Sequence, residues 1–261
     1  MDSKILVYTI ITNNYDTLRP FKREDGFDYV CFTDNMDMES NGWTLEEVEI
    51  VPDMLKFQRS LKIKSNYLLE EMDMIYEKSI YMDANFRIVG SLNEFLERYY
   101  KGGILTVLHD KRTLLTDEAK QIIRLRKDTV EKVTDHMRML QFMKVPDDCG
   151  MYANGFMVRD ESIDVDIFET AWNDLLLLGS HRDQLSCGPA AWVTGTKINT
   201  VTRRQLNEYV ILERHKPYIK TTHANRCCGR CDGNHDVCVA DTICENHNIR
   251  GCEKCFGKRS I

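Results

Sequence analysis

Asp83 and Asn85, within Tyr81-Met82-Asp83-Ala84-Asn85, are the residues of this sequence whose types and spacing best suit divalent-metal chemistry. In an extended segment, side chains two residues apart point to one side. If a strand ends here, the pair offers one charged and one neutral hard oxygen together. That combination suits Mg2+ or Mn2+, with a diphosphate completing the coordination shell. The competing reading of Asp-x-Asn is a turn. A second metal signal lies near the end of the chain. Cys228-x2-Cys231 and Cys252-x2-Cys255 are separated by twenty residues, at the edge of the spacing with which two cysteine knuckles close a tetrahedral Zn2+ site. Cys227, Cys238, Cys244, His235 and His247 supply further ligands, enough for a second ion, and His223 can join them. A closed four-cysteine site leaves no open position, so its expected role is structural. The alternative is a disulfide-stapled knot, which requires oxidising surroundings.

The elements that position these groups follow from composition and pattern. A chain of 261 residues, 43% hydrophobic and 29% charged, forms one large domain or one domain with a small appendage. Seven of its ten cysteines fall in the last 35 residues, while Cys31, Cys149 and Cys187 are scattered. The net charge is −6, and it divides unevenly. From Arg214 onward nine Lys and Arg face five Asp and Glu, leaving 26 against 36 before it. An acidic body does not offer the general cationic field that nucleic acid needs, so nucleic acid is not an expected partner. No apolar run approaches a membrane span, and Ile5 to Ile11 is too short for a secretory signal. The expected setting is therefore the reducing cytoplasm, where clustered cysteines bind metal.

Residues 4–12 form a nearly continuous β-branched run ending in Asn13-Asn14, as a buried parallel strand would. Tyr29 to Thr33 and Thr44 to Val51 read as two more strands, and Lys56 to Met74 as a helix with Leu61, Leu68, Leu69 and Met72 on its apolar face. Ser79 to Val89 reads as one strand interrupted by polar residues. A short helix over 92–100, a strand over 103–109, and one long charged helix over 116–144 follow. A strand over 152–158 and a glycine-capped helix over 163–179 come next, and Asp183 starts another helix. Strands alternating with helices predict an α/β sheet covered on both faces.

The order of short motifs along residues 4–195 resembles the glycosyltransferase-like domains of the type-A nucleotide-sugar transferase fold (GT-A) related to plant proteins of mucilage and turgor regulation. The motifs are Tyr8-Thr9 with Tyr15-Asp16, the strand Tyr29 to Asp34, Arg59-x2-Lys62, the strand Ser79 to Arg87, His109-x2-Arg112, Asn154-Gly155, and Ser180-x-Arg182-Asp183-Gln184-Leu185-Ser186. The chain departs from the plant pattern at Asn85, where lysine is frequent, and at Trp172-Asn173, where two tryptophans stand.

The resemblance implies a GT-A-like mixed sheet flanked by helices over residues 1–212; it does not cover residues 213–261, which the cysteine spacing marks as a zinc-binding appendage. It implies transfer of a hexosyl or pentosyl group from a UDP- or GDP-sugar donor to a hydroxyl of a glycan or glycoconjugate acceptor, assisted by Mn2+ or Mg2+. Donor binding would fall to Thr9, Thr12, Tyr15, Asp34, Arg59, Lys62, Asp83, Ala84, Asn85, Asn154 and Gly155. Asp183 would be the acceptor-side carboxylate, either a general base or an oriented hydrogen-bond acceptor. His109, Arg112, Arg182 and Gln184 are secondary candidates, and His215 or His223 would complete the catalytic metal shell beside Asp83 and Asn85. Each residue also has a structural alternative: turn or N-cap for Thr9, Thr12, Tyr15, Asp34 and Asp183, a solvated face for Arg59 and Lys62, a bulge for Asn154-Gly155. Two competing functions are a non-catalytic zinc-knuckle binding module on a degenerate transferase scaffold, and nucleotidyl transfer. The latter would call for a glycine-rich basic loop after the first strand, which the sequence does not have.

Overall fold

A computed structural model of the protein describes residues 5–49, 51–65 and 76–217. Strand β1 (Ile5–Ile11) is buried along nearly its whole length, which is why its sequence is apolar nearly throughout, with Thr9 the exception, rather than alternating. It pairs in parallel with β2 (Phe27–Thr33) on one side and β4 (Lys78–Met82) on the other, and β2 carries β3 (Thr44–Glu47), also parallel. β7 (Tyr152–Asp160) runs antiparallel between β4 and β6 (Ile104–Leu108), and β8 (Ile198–Val201) is parallel to β6. The seven-stranded mixed sheet thus has the order β3-β2-β1-β4-β7-β6-β8, and β5 (Phe86–Ile88) pairs with β9 (Val210–Leu212) in a separate two-stranded sheet. Seven helices complete the described residues: α1 (Met54–Ile63), α2 (Leu92–Tyr99), α3 (Leu115–Arg124), α4 (Val130–Phe142), α5 (Ile163–Leu178), α6 (Gln184–Thr194) and α7 (Arg203–Leu206). The expected α/β class holds. Among the described residues, no helix is long and apolar enough to cross a membrane.

Three sequence expectations are corrected. The run from Ser79 to Val89 is not one strand. It breaks into β4 and β5, in different sheets, at a turn closed by Phe86 N–H donating to Asp83 O at 2.9 Å. Asp83 and Asn85 therefore sit on a turn, and strand alternation does not place their side chains together. The helix expected over 116–144 is two, because the chain reverses at Arg126, which takes φ 52°, and Thr129 caps α4 through Lys132 N–H. Gly179 does follow α5, but not in the left-handed conformation of a capping glycine; a Cβ there would overlap His136 Nδ1.

Between sheet and helices, Tyr8, Phe32, Ile63, Phe168, Trp172 and Leu185 pack in one core. A polar assembly is sealed inside it. Arg159 and Glu169, both without solvent exposure, pair at 2.9 Å. Arg159 also donates to Ile63 O at 2.6 Å and to the Tyr8 hydroxyl at 2.5 Å, and that hydroxyl donates to Lys62 O at 3.1 Å. Removing one partner would leave a buried charge uncompensated, at a cost of about 3–5 kcal/mol. The assembly fixes the last turn of α1 against β1 and β7, and with it the position of Lys62.

The compact unit containing these elements runs to His215. It takes in Glu213, Arg214 and His215, past the boundary expected at 212. Arg19 holds this segment, pairing with Glu213 at 3.2 Å and donating to Arg214 O at 2.7 Å. The expected zinc ligands (Cys227, Cys228, Cys231, Cys238, Cys244, Cys252, Cys255, His235, His247) and His223 lie outside the described residues.

Candidate active-site cleft

Ligands bind open α/β sheets beyond the carboxyl ends of their strands, and here β1 and β4 end at two adjoining recesses. The larger, about 470 Å³, is lined by Ile10, Tyr15, Asp16, Arg59, Asp83 and His215 among others. The smaller, about 170 Å³, is lined by Lys62, Asn154, Gly155, Asp183, Gln184 and Arg203, and shares Arg59, Asp83 and Arg182 with its neighbour.

Asp83 stands between them. Its backbone N–H donates to Gly155 O at 2.8 Å, and the Tyr81 hydroxyl donates to its Oδ1 at 2.6 Å. Gly155 is glycine because of this approach: a Cβ would lie 2.8 Å from Asp83 Oδ2 and 2.9 Å from Phe86 Cε2. The Lys62 ammonium, only 3% exposed, lies 3.5 Å from Asp83 Oδ1 and 2.8 Å from Asp183 Oδ2, and 5.0 Å from the centre of the Tyr81 ring. Lys62 therefore bridges two carboxylates from different elements.

Asp183 occupies the N-cap position of α6, but its side chain makes no capping hydrogen bond. Its backbone is anchored instead, through Trp172 Nε1–H donating to Asp183 O at 3.1 Å. Burial works against its charge, but Lys62, Arg59 and Arg182 outweigh burial and hold the carboxyl well below the usual carboxylate range. The carboxyl is thus ionised near neutral pH and able to accept a hydrogen bond. Burial likewise opposes the charge on Arg59, and the Asp183 and Asp83 carboxylates raise its pKa in spite of it.

Several cleft groups are buried without a hydrogen-bond partner among the described residues. Asn154 is 2% exposed and neither its Nδ2 nor its Oδ1 is paired; Arg59 Nε and Arg182 Nε are in the same condition. Natural proteins rarely leave such groups unsatisfied, and each costs roughly 1–3 kcal/mol. Asn154, Arg59 and Arg182 all line these recesses, so a ligand bound there could supply the missing partners.

The outer rim is built from the residues after β9. His215 Nδ1 lies 2.5 Å from Asp16 Oδ2, and its ring packs on Tyr15 with centroids 4.7 Å apart. Asn85 Nδ2 donates to Glu213 O at 3.0 Å and lies 3.4 Å from His215 Nε2, while its Oδ1 is buried without a partner. No group of three or more His, Cys, Asp or Glu side chains is arranged around a common metal position among the described residues.

Comparison of the sequence with models of known protein families and with curated proteins returns no match. The chemistry of the cleft therefore has to speak for its function.

Of the residues singled out from sequence, the cleft brings together Tyr15, Arg59, Lys62, Asp83, Ala84, Asn154, Gly155, Arg182, Asp183, Gln184 and His215. Thr9, Thr12, Asp34, Asn85, His109 and Arg112 are not part of either lining. Thr9 and Thr12 are buried beneath the end of β1. Asp34 takes the structural alternative, accepting Asn13 N–H at 2.9 Å and so pinning the loop after β1. His109 Nδ1 accepts the Lys111 and Arg112 N–H groups, and the Arg112 guanidinium pairs with Glu118. Sequence reasoning missed Asp16, Gln58, Tyr81, Lys127, His181 and Arg203 as lining residues. Asp16, Tyr81 and His181 were legible as neighbours of chosen residues, whereas Lys127 comes from a separate loop with no signal in its spacing.

Proposed function

We propose that this protein is a nucleotide-sugar-dependent glycosyltransferase, moving a sugar from a UDP- or GDP-sugar to a hydroxyl of a glycan acceptor. The observation that carries this reading is the small recess, in which the fully buried and unpaired amide of Asn154 shares the wall with the Lys62-bridged Asp83 and Asp183. Its volume of about 170 Å³ suits one sugar ring, and its donors and acceptors suit hydroxyl groups. The larger recess, opening beside it, has room for the nucleotide. The order β3-β2-β1-β4 followed by an antiparallel β7 is compatible with the GT-A architecture that the motif order implies.

In the transfer, the acceptor oxygen bonds to the anomeric carbon as the bond to the diphosphate breaks, and the acceptor's hydroxyl proton passes to the departing diphosphate oxygen. Asn154 and Gln184 bind sugar hydroxyls, and Gly155 lets the sugar approach the backbone. Asp183, ionised and held in place by Lys62 at 2.8 Å, serves as the oriented hydrogen-bond acceptor for the acceptor hydroxyl. Arg59 stands where both recesses meet and stabilises negative charge on the departing diphosphate. Of the ligands expected for Mn2+ or Mg2+, Asp83 and His215 line the larger recess, while Asn85 lies outside both linings. Asp83 and His215 would hold the ion, which would supply further charge neutralisation to the leaving group.

Incubation with a panel of UDP- and GDP-sugars, with and without Mn2+, tests the reading. Donor-specific thermal stabilisation and slow donor hydrolysis are expected. Indifference to every donor under both conditions would overturn it.

A further inference from the structure

The larger recess has a second wall that the motifs explain only in part. Lys127, His181 and Arg182 reach it from two loops far apart in sequence, one between α3 and α4 and one between α5 and α6. A single carboxylate stitches these loops together. Asp128 Oδ2 accepts from the Ser180 hydroxyl at 2.7 Å and from His181 N–H at 3.1 Å, and lies 3.0 Å from His181 Nδ1. Asp128 Oδ1 accepts Thr129 N–H at 2.8 Å, which ties the carboxylate to the start of α4. Asp128 is thereby consumed internally, its side chain only 2% exposed, while Lys127 beside it is exposed.

Charge at this wall is unbalanced. Asp16 is paired with Arg19 at 3.0 Å, and Asp83 and Asp183 are only two carboxylates against Lys62, Arg59, Arg182 and Lys127, so cations are in excess. Arg59 Nε and Arg182 Nε lack hydrogen-bond partners among the described residues. Burial lowers the Lys127 pKa, and repulsion from Arg182, Arg112 and Arg59 lowers it further against the pull of Glu118. Holding like charges together costs free energy unless an anion joins them. This happens in a body carrying 26 Lys and Arg against 36 Asp and Glu, where a cationic recess stands out as local construction.

We infer that Arg59, Lys127 and Arg182 form a diphosphate clamp, with Asp128 as the positioning residue that holds its two loops together, and that this clamp binds the diphosphate without a divalent cation. Identification of the physiological ligand as a nucleoside diphosphate rests on the transferase reading; the clamp itself does not. Guanidinium groups bind phosphate oxygens through paired, charge-assisted hydrogen bonds, and Lys127 adds a point charge.

The test is calorimetric titration of the full chain with inorganic pyrophosphate, orthophosphate and UDP, in EDTA and again with Mn2+. Pyrophosphate should bind in EDTA and more tightly than orthophosphate. Lys127→Gln, at an exposed position and so safe for folding, should weaken pyrophosphate about tenfold, as expected for loss of a charge-assisted contact. Asp128→Asn should also weaken it and narrow the preference over orthophosphate. A purely electrostatic role predicts the reverse, because removing a negative charge would tighten anion binding. Pyrophosphate binding that requires Mn2+, or that is unchanged by Lys127→Gln, overturns the clamp. If pyrophosphate binds as expected but no nucleotide sugar is recognised, the clamp stands and the transferase reading falls.

Discussion

Asp183 stands at the N-cap of α6, yet its carboxylate binds the ammonium of Lys62, 2.8 Å away on α1, and leaves the helix uncapped. An N-cap aspartate normally accepts an N–H of the first turn, and that bond stabilises a protein by about 1 kcal/mol. Here the residue type suited to capping has been committed to a cation in the cleft. Lys62 is itself placed by the buried Arg159, Tyr8 and Ile63 bonds at the end of α1, so the pair joins the core to the site.

Asp183→Asn keeps the shape of this residue and removes its charge. Lys62 would then face only Asp83, at 3.5 Å, and a nearly buried ammonium would lose its closest counter-ion. The expected stability loss is about 3 kcal/mol, in the range for breaking a buried pair. If Asp183 orients a hydroxyl in the transition state, turnover should fall by about 100-fold or more while donor affinity changes little. Urea unfolding and donor turnover measured on the same variant check both halves. Loss of donor affinity with turnover intact would refute the orienting role.

Asn154 makes the opposite prediction for stability. Both atoms of its amide are buried without partners, so the folded protein without ligand already bears the cost of desolvating them. Asn154→Ala removes that cost while opening a small cavity, and the unfolding free energy should stay within about 1 kcal/mol of wild type. Donor binding should weaken by about tenfold or more, because sugar hydroxyls lose their partner. A stability loss well beyond that margin would mean that the amide is satisfied in solution and is structural.

How much of this was legible in the sequence depended on the range of the forces involved. β1 was readable because a strand buried on both faces must be apolar throughout, and α6 because an aspartate after a glycine-serine helix end begins a helix. The turn at Asp83–Asn85 was not, since a strand ending and a strand interrupted look alike until pairing assigns β4 and β5 to different sheets. The single helix over 116–144 failed at Arg126, whose positive φ no local residue demands; what holds the bend is Asp128 bonding to Ser180 and His181, more than fifty residues away. In the cleft, residues flanking strand ends and Arg182 within its motif were found, and Lys127, brought in by loop-to-loop bonds, was not. Asp34 shows the reverse error, a carboxylate correctly suspected of having a role but used to fix a loop.

Gly155 should tolerate no side chain. The methyl of Gly155→Ala would fall within 3 Å of Asp83 Oδ2 and of Phe86 Cε2, and neither the β4–β5 turn nor the ring can yield freely. Overpacking of this kind costs about 1–3 kcal/mol. It would also displace the Asp83 carboxylate from Lys62, so donor affinity should drop together with thermal stability. Normal donor affinity in a folded Gly155→Ala protein would show that Asp83 does not depend on this approach.

His136 sets a pH limit on the fold. It is fully buried, its Nε2–H donates to Leu185 O at 3.3 Å, and its Nδ1 accepts Ser180 N–H at 3.2 Å. These partners fix the neutral tautomer, because a proton on Nδ1 would meet another N–H. Burial lowers its pKa below the usual 6.5, against smaller upward pulls from Leu185 O and Asp128. As pH falls below about 6.5, the unfolded chain takes up a proton that the folded protein resists, so stability declines on acidification and is restored above about pH 7. Burial also lowers the pKa of His109 and His181, which adds to the decline with the same sign. Urea midpoints between pH 7.5 and 5.5 should fall for wild type and fall less steeply for His136→Gln, whose amide can both donate to Leu185 O and accept from Ser180 N–H. Equal slopes would assign the acid sensitivity to groups other than His136.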